Sequence, residues 1–253
     1  MGSLQGTRGK VSQWKEDGLQ SVAVLSSLEF KMSYDFSLEY IFENAPLLLD
    51  GFLMTIWVSV ISIAISVVIG VCGAAIRLLR IPVLSQLVAA YVHFIRSTPL
   101  LPQIFFIFYG LASIGIPLSS FWAGVLALSI WGGAYNVENV RGGFLAISKG
   151  LHEAAESLAF SPFHYLWLVA VPLGVRVSLP SMLNTAVSVL KNSAYLQAIG
   201  LAELTFVAMD KVSLEFRTLE MFAAIGVLYL GLVLTLSILV RELEKVLQRP
   251  FRP

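Results

Sequence analysis

Long stretches without a charged side chain alternate with short polar segments along this chain. Residues 51–76, 97–137 and 221–240 contain no Asp, Glu, Lys or Arg. A helix needs about 20 predominantly apolar residues to cross the roughly 30 Å hydrocarbon core of a bilayer. The first and last stretches therefore predict one crossing each, and the middle one predicts two. Gly115-Ile116-Pro117, with Ser119 and Ser120, supplies the turn inside the middle stretch, because Gly and Pro interrupt helices. Residues 165–190 carry one charge, Arg176, and are broken by Pro172 and Pro180. They predict a fourth span before the last, so the pattern as a whole predicts an all-α integral membrane protein with five transmembrane helices.

Basic residues set the orientation, since they stay on the cytosolic side when helices insert. Arg77, Arg80 and Arg96 follow the first span, Arg141 and Lys149 the third, and Arg241, Lys245, Arg249 and Arg252 the fifth. The turn at Gly115 has none. The N-terminus is then outside, the C-terminus cytosolic, and the polar insert after the third span cytosolic. Composition agrees: 57% of the residues are hydrophobic, 13% charged, and the mean hydropathy is +0.80, against about 25% charged in soluble domains. The single cysteine, Cys72, excludes an internal disulfide and is read as a lipid or helix-packing residue. A net charge of +1 argues against nucleic acid as a partner.

Four polar features interrupt the apolar background. In residues 147–162, Leu151, Ala154, Ala155 and Leu158 recur at helical spacing, which predicts a short amphipathic helix. Glu138 and Arg141 lie three residues apart near the end of the third span and can pair on one helix face. Two readings stand for Glu138, an interfacial ion pair and a contact with substrate or gate. Gly142 and Gly143 are read as the helix break that follows. Asn184, Ser188, Lys191 and Asn192 make a polar stripe on the fourth span. Pathway lining and interhelical hydrogen bonding both fit it. In residues 94–103, FIRSTPLLPQ, Arg96 reads as an interfacial anchor and Pro99 as a residue of the first helical turn. Pro102 is a further kink candidate.

Residues 147–162, with Glu153-Ala154-Ala155 at their centre, resemble the EAA loop of bacterial ABC importer permeases of the polar amino acid uptake family. The segment 134–143, AYNVENVRGG, is similar to the same family's AYxAExxRGG, and FIRSTPLLPQ to its FIRGTPLLVQ. The resemblance covers residues 45–245 and implies a type I importer permease for polar amino acids. It implies an EAA loop at about 142–168 in which Gly150, Glu153, Ala154, Ala155, Leu158, Ala159 and Ser161 contact an ATPase. Arg96, Thr98, Pro99, Arg141 and Gly142 become motif residues, and Glu138, Asn184, Ser188, Lys191 and Asn192 candidates for the substrate pathway. Lys191-Asn192 is a form associated with acidic substrates such as glutamate and aspartate. The implied partners are two ATPase subunits that bind ATP and magnesium, a second permease, identical or paralogous, and an extracytoplasmic binding protein.

The implied location is the bacterial inner membrane. Residues 1–45 are then a partly disordered extracytoplasmic extension with a native start near Met32, 46–245 the membrane domain, and 246–253 a cytosolic tail. The family usually has Gly where Ala159 stands, so the turn there is expected to be rebuilt or the helix to run on to Phe160. No GxxxxGK[ST] motif is present, so ATP hydrolysis is not expected in this chain, and no cofactor is expected in it. Two rivals follow from the same residues, an ATP-independent channel and a membrane-embedded enzyme built on Glu138, Lys191 and Asn192. The latter lacks a nucleophile or metal set in the sequence.

Overall fold

The computed structural model describes residues 36–248, and Leu38 onward forms one unit. Met32, Arg249 and Arg252 lie outside the described residues. A short helix α1 (Leu38–Glu43) leads into α2 (Ala45–Leu78), then α3 (Leu84–Ser97) and α4 (Leu100–Ser113). After the turn at Gly115 come α5 (Ser120–Leu145), α6 (Lys149–Ser157), α7 (Pro162–Ile199), α8 (Leu204–Glu215) and α9 (Thr218–Gln248). By length and apolarity α2, α7 and α9 can cross a membrane, and the bent pair α3–α4 can make a fourth span.

α5 is 26 residues long but less apolar, and its position explains why. It lies in the middle of the bundle, where small residues admit its neighbours. α2 presents Thr55, Ser59, Ser62, Ser66, Gly70 and Gly73 as one buried stripe. A Cβ on Gly70 would stand 2.4 Å from Cβ of Asn136 on α5. Without a hydrophobic drive between helices in lipid, such close backbone approach supplies the packing energy. Three of the hydroxyls bond internally: Thr55 donates to the Gly51 carbonyl (3.0 Å), Ser62 to the Val125 carbonyl (3.4 Å), and Ser66 accepts from Asn136 Nδ2 (3.1 Å). Cys72 is exposed on α2, as a lipid-facing residue would be.

Three apolar clusters stack along the bundle. Leu48, Leu204, Val207 and Met221 pack at one end. Val58, Ile104, Leu128, Val189 and Leu196 fill the middle, and Ala74, Val140, Phe144, Leu166 and Met182 the other end. At the Leu48 end, the buried Glu203 caps α8, accepting from the amides of Thr205 (2.9 Å) and Phe206 (2.8 Å) and from Tyr229 Oη (2.8 Å). Burial pushes its carboxyl up, against the pull of these donors.

Several sequence expectations are corrected. Pro180 does not break the fourth span, because α7 runs helically through it. Gly142 and Gly143 do not end α5, which continues to Leu145. Pro102 sits inside α4 without interrupting it; a π-helical stretch follows at Phe106–Gly110. The break comes instead at Pro99, the residue before α4 and not part of its first turn, where α3 and α4 bend by 115°. Thr98 is extended (φ −113°, ψ 145°), the conformation a following proline imposes. Pro99 has no N–H for the Ile95 carbonyl four residues back. Gln103 Nε2 replaces it, at 3.0 Å from that carbonyl, and also reaches Thr98 O (3.1 Å) and Oγ1 (2.7 Å).

Candidate functional site

Along α5 a groove opens between α3 and α7. Its two hollows meet at Tyr135. The first, about 460 Å³, is lined by Arg77, His93, Arg96, Ser97, Tyr135 and Glu138. The second, about 330 Å³, is lined by Trp131, Tyr135, Asn139, Asn184, Thr185 and Ser188. Their chemistry differs: the first carries charge, and the second carries amides, hydroxyls and two aromatic rings.

Glu138 pairs with Arg141, as its spacing predicts, through Nη2 (2.6 Å) and Nε (3.0 Å) on Oε2. Its other oxygen, Oε1, takes Arg77 of α2, so both carboxylate oxygens are engaged and the pair ties α2 to α5. Arg77 could not be identified as the partner from spacing, because it lies 61 residues away. Arg96 stands over the Tyr135 ring, 5.0 Å from its centroid, and forms no ion pair among the described residues. Trp131 packs against the same tyrosine, with ring centroids 4.4 Å apart.

In the second hollow the polar stripe is partly realised. Asn184 and Ser188 line it, whereas Lys191 is exposed and Asn192 half-buried further along α7 and outside it. Asn139, a residue between the motif positions, is the one sequence reasoning undervalued. Its Nδ2 donates to Thr185 Oγ1 (2.9 Å), Ser181 O (3.3 Å) and Asn136 Oδ1 (3.2 Å). With the Asn136–Ser66 bond, this chain of hydrogen bonds joins α2, α5 and α7. The polar residues at 136, 139, 181 and 185 recur every three or four, and that periodicity was the available signal.

The insert forms α6 at the Phe144 end. Ala155 is buried, while Glu153, Ala154, Leu151 and Leu158 are exposed. The expected apolar stripe is therefore divided, with Ala155 turned to the bundle and Leu151, Ala154 and Leu158 turned away. Gly150 is exposed in the first turn. His152 packs against Tyr165 (4.7 Å) and lies 3.4 Å from Glu156. Ser161 caps the start of α7, accepting from the His164 amide at 3.3 Å.

Ala159 answers the question its sequence raised. α6 ends at Ser157 and does not reach Phe160. Ala159 adopts φ +58°, and the turn is a complete Schellman motif: Phe160 N bonds to Ala155 O (3.0 Å) and Ala159 N to Glu156 O (2.9 Å). The geometry that glycine favours is kept without glycine, at a cost of roughly 1–2 kcal/mol. Ala159→Gly is expected to recover about 1 kcal/mol locally. The check is amide hydrogen exchange at Phe160, which should slow roughly fivefold; unchanged exchange would mean that the turn carries no strain.

A bundle of apolar helices around a polar groove, with an amphipathic helix exposed at one end, defines a membrane-spanning transport component. Residues 66–249 match the family described as binding-protein-dependent transport system inner membrane component, and the chain belongs to that family. It is 34% identical over 216 residues to the glutamine transport system permease protein GlnP of Escherichia coli (strain K12), covering 85% of this chain and 98% of that protein. It is 33% identical to the nopaline transport system permease protein NocM of Agrobacterium fabrum (strain C58 / ATCC 33970) over 218 residues, 82% of this chain and 90% of that one. Among solved structures, a crystal structure of an amino acid ABC transporter with histidines matches with a TM-score of 0.75 at 30% identity, covering 83% of this chain and 99% of that one. The chain is thus the permease component of an amino acid ABC importer of type I, a transport subunit and not an enzyme. Permeases of this type work with ATPase subunits and a substrate-binding protein.

Proposed function

We propose that this permease moves polar amino acids along the groove between α3, α5 and α7, as one half of a pathway completed by a second permease, identical or paralogous. The carrying observation is the outward polar face of α7. Ser181, Asn184 and Lys191 are exposed, and Ser188 half-exposed, one to two turns apart. Such groups are costly against hydrocarbon and call for protein or water opposite them. Glu138 closes the Phe144 end of the groove through its pairing with Arg77 and Arg141.

In this reading the Phe144 end and the C-terminus are cytosolic, the N-terminus is outside, and the membrane is the bacterial inner membrane. The exposed residues of α6, Glu153, Ala154 and Leu158 with Leu151, dock into one of two separate ATPase subunits that bind ATP and magnesium. A binding protein delivers substrate at the Leu48 end. ATP binding and the loaded receptor bias a two-state equilibrium between pathway openings. The uncharged lining of the second hollow and the glutamine relatives favour a polar, amide-type substrate. Exposed Lys191 on the same face supports a second reading toward glutamate or aspartate, and competition of labelled glutamine uptake by glutamate separates the two.

One set of cysteines tests orientation and groove together, in a Cys72→Ala background. An impermeant thiol reagent outside should label Ser119→Cys and not Ser157→Cys. A labelled Ser188→Cys should block uptake in the reconstituted importer. The reverse labelling would overturn the orientation, and full uptake after labelling at 188 would overturn the groove.

A further inference from the structure

We infer that Arg96 holds the α-carboxylate of the transported amino acid, while Asn139 Oδ1 accepts from its side-chain amide. The inference rests on the groove being the route and adds which atoms the substrate meets. Arg77, which lines the first hollow, and Arg141 beside Glu138 are spent on the two oxygens of Glu138. Arg96 is the guanidinium of that hollow left without an ion pair among the described residues. Its Cζ stands over the Tyr135 ring at 5.0 Å, a cation–π contact that holds the guanidinium at the hollow, where its fork of donors suits a carboxylate.

The opposite end is fixed by an equally local argument. Ser181 O can only accept, so the Asn139 atom 3.3 Å from it is the amide nitrogen. Thr185 Oγ1 itself lies 3.3 Å from the same carbonyl, to which it donates, and so accepts from Asn139. Asn139 Oδ1 therefore lies on the other side of its amide, and takes no hydrogen bond among the described residues. An unspent acceptor in a hollow also lined by Asn184 and Ser188 selects a donor. Tyr135 and Asn139 are four residues apart on α5, about 6 Å along the axis, comparable to the length of an extended glutamine side chain. A carboxylate side chain would meet Asn139 Oδ1 lone pair to lone pair, so glutamine is preferred to glutamate.

The test is equilibrium binding of radiolabelled glutamine to the purified permease–ATPase complex, with glutamine methyl ester as competitor. The ester keeps the amide and the ammonium and lacks the carboxylate charge. The parent should bind glutamine roughly tenfold or more tightly than the ester, as expected for a hydrogen-bonded charged group. Arg96→Gln should erase that difference by weakening glutamine alone, and Arg96→Lys should keep part of it. Loss of both ligands together in Arg96→Gln, an unchanged preference, or no preference in the parent overturns the assignment. If Ser188→Cys labelling blocks uptake while the preference survives Arg96→Gln, the groove stands and only the carboxylate site falls. If that labelling leaves uptake intact, the groove itself is the failure.

Discussion

Replacing Glu153 by Lys is expected to abolish amino-acid-stimulated ATP hydrolysis in the reconstituted importer while leaving the permease folded and inserted. Glu153 is exposed on α6, and its side chain makes no hydrogen bond or ion pair among the described residues. Its carbonyl accepts from Ser157 Oγ at 2.9 Å, which any residue at this position preserves. An exposed substitution of this kind changes stability within about 0.5 kcal/mol. In the proposed docking of α6, a side chain without such bonds in its own chain, on a nine-residue helix exposed at the end of the bundle, is available to a partner. If that partner is the ATPase, reversing the charge removes a buried pairing and leaves a like charge in its place, at a cost on the order of 2–5 kcal/mol. Stimulated hydrolysis should fall to the basal rate, and the ATPase should be lost on affinity purification through the permease. Parental coupling in the Lys variant would show that α6 does not dock through this face.

What the sequence made legible follows from the range of the interaction behind each feature. The apolar stretches predicted α2, α7 and α9 because lipid solvation acts residue by residue along a helix. The Glu138–Arg141 pair was legible because three-residue spacing places both on one face. Arg77 was not, because its approach depends on the Gly70 contact between α2 and α5, a product of tertiary packing. The prolines misled in both directions. Pro180 lies inside α7, whereas Pro99 combines with an extended Thr98 and a Gln103 replacement donor to turn the chain by 115°. A proline alone does not reveal whether a side chain nearby takes over the carbonyl it strands. Spacing put Asn184, Ser188, Lys191 and Asn192 on one face, fitting pathway lining or interhelical hydrogen bonding; the second hollow takes only Asn184 and Ser188, because it ends before the last turn of the α-helical part of α7.

Gly142 and Gly143 adjoin in sequence, yet their alanine substitutions are expected to have opposite signs. Both lie inside α5, where the sequence alone suggested a helix break. Gly142 is exposed, and a Cβ built there meets nothing within 4 Å. Alanine removes glycine's backbone entropy cost in a helix, so Gly142→Ala should stabilise by up to about 1 kcal/mol. Gly143 is buried against α7, and a Cβ there would stand 2.1 Å from the Gly174 carbonyl oxygen. That atom belongs to a backbone and cannot rotate aside. On α7, a Cβ at Gly174 would in turn stand 2.3 Å from Phe144 Cδ1, so the two helices are in mutual contact with no slack. Inserting a methyl must push α5 and α7 apart, and overpacking of this kind costs typically 1–3 kcal/mol, with rigid neighbours at the upper end. Thermal unfolding of the detergent-solubilised protein should show Gly143→Ala losing about 3 kcal/mol, with Gly142→Ala at or above the parent. The contact also bears on transport. It lies immediately before α6, where a rigid α5–α7 junction would transmit a displacement of the docking helix into the groove. Gly143→Ala protein that remains folded at low temperature should therefore hydrolyse ATP with weakened response to substrate. A Gly143→Ala protein as stable as the parent would mean that the helices yield at this point, and that the close approach is not what holds them.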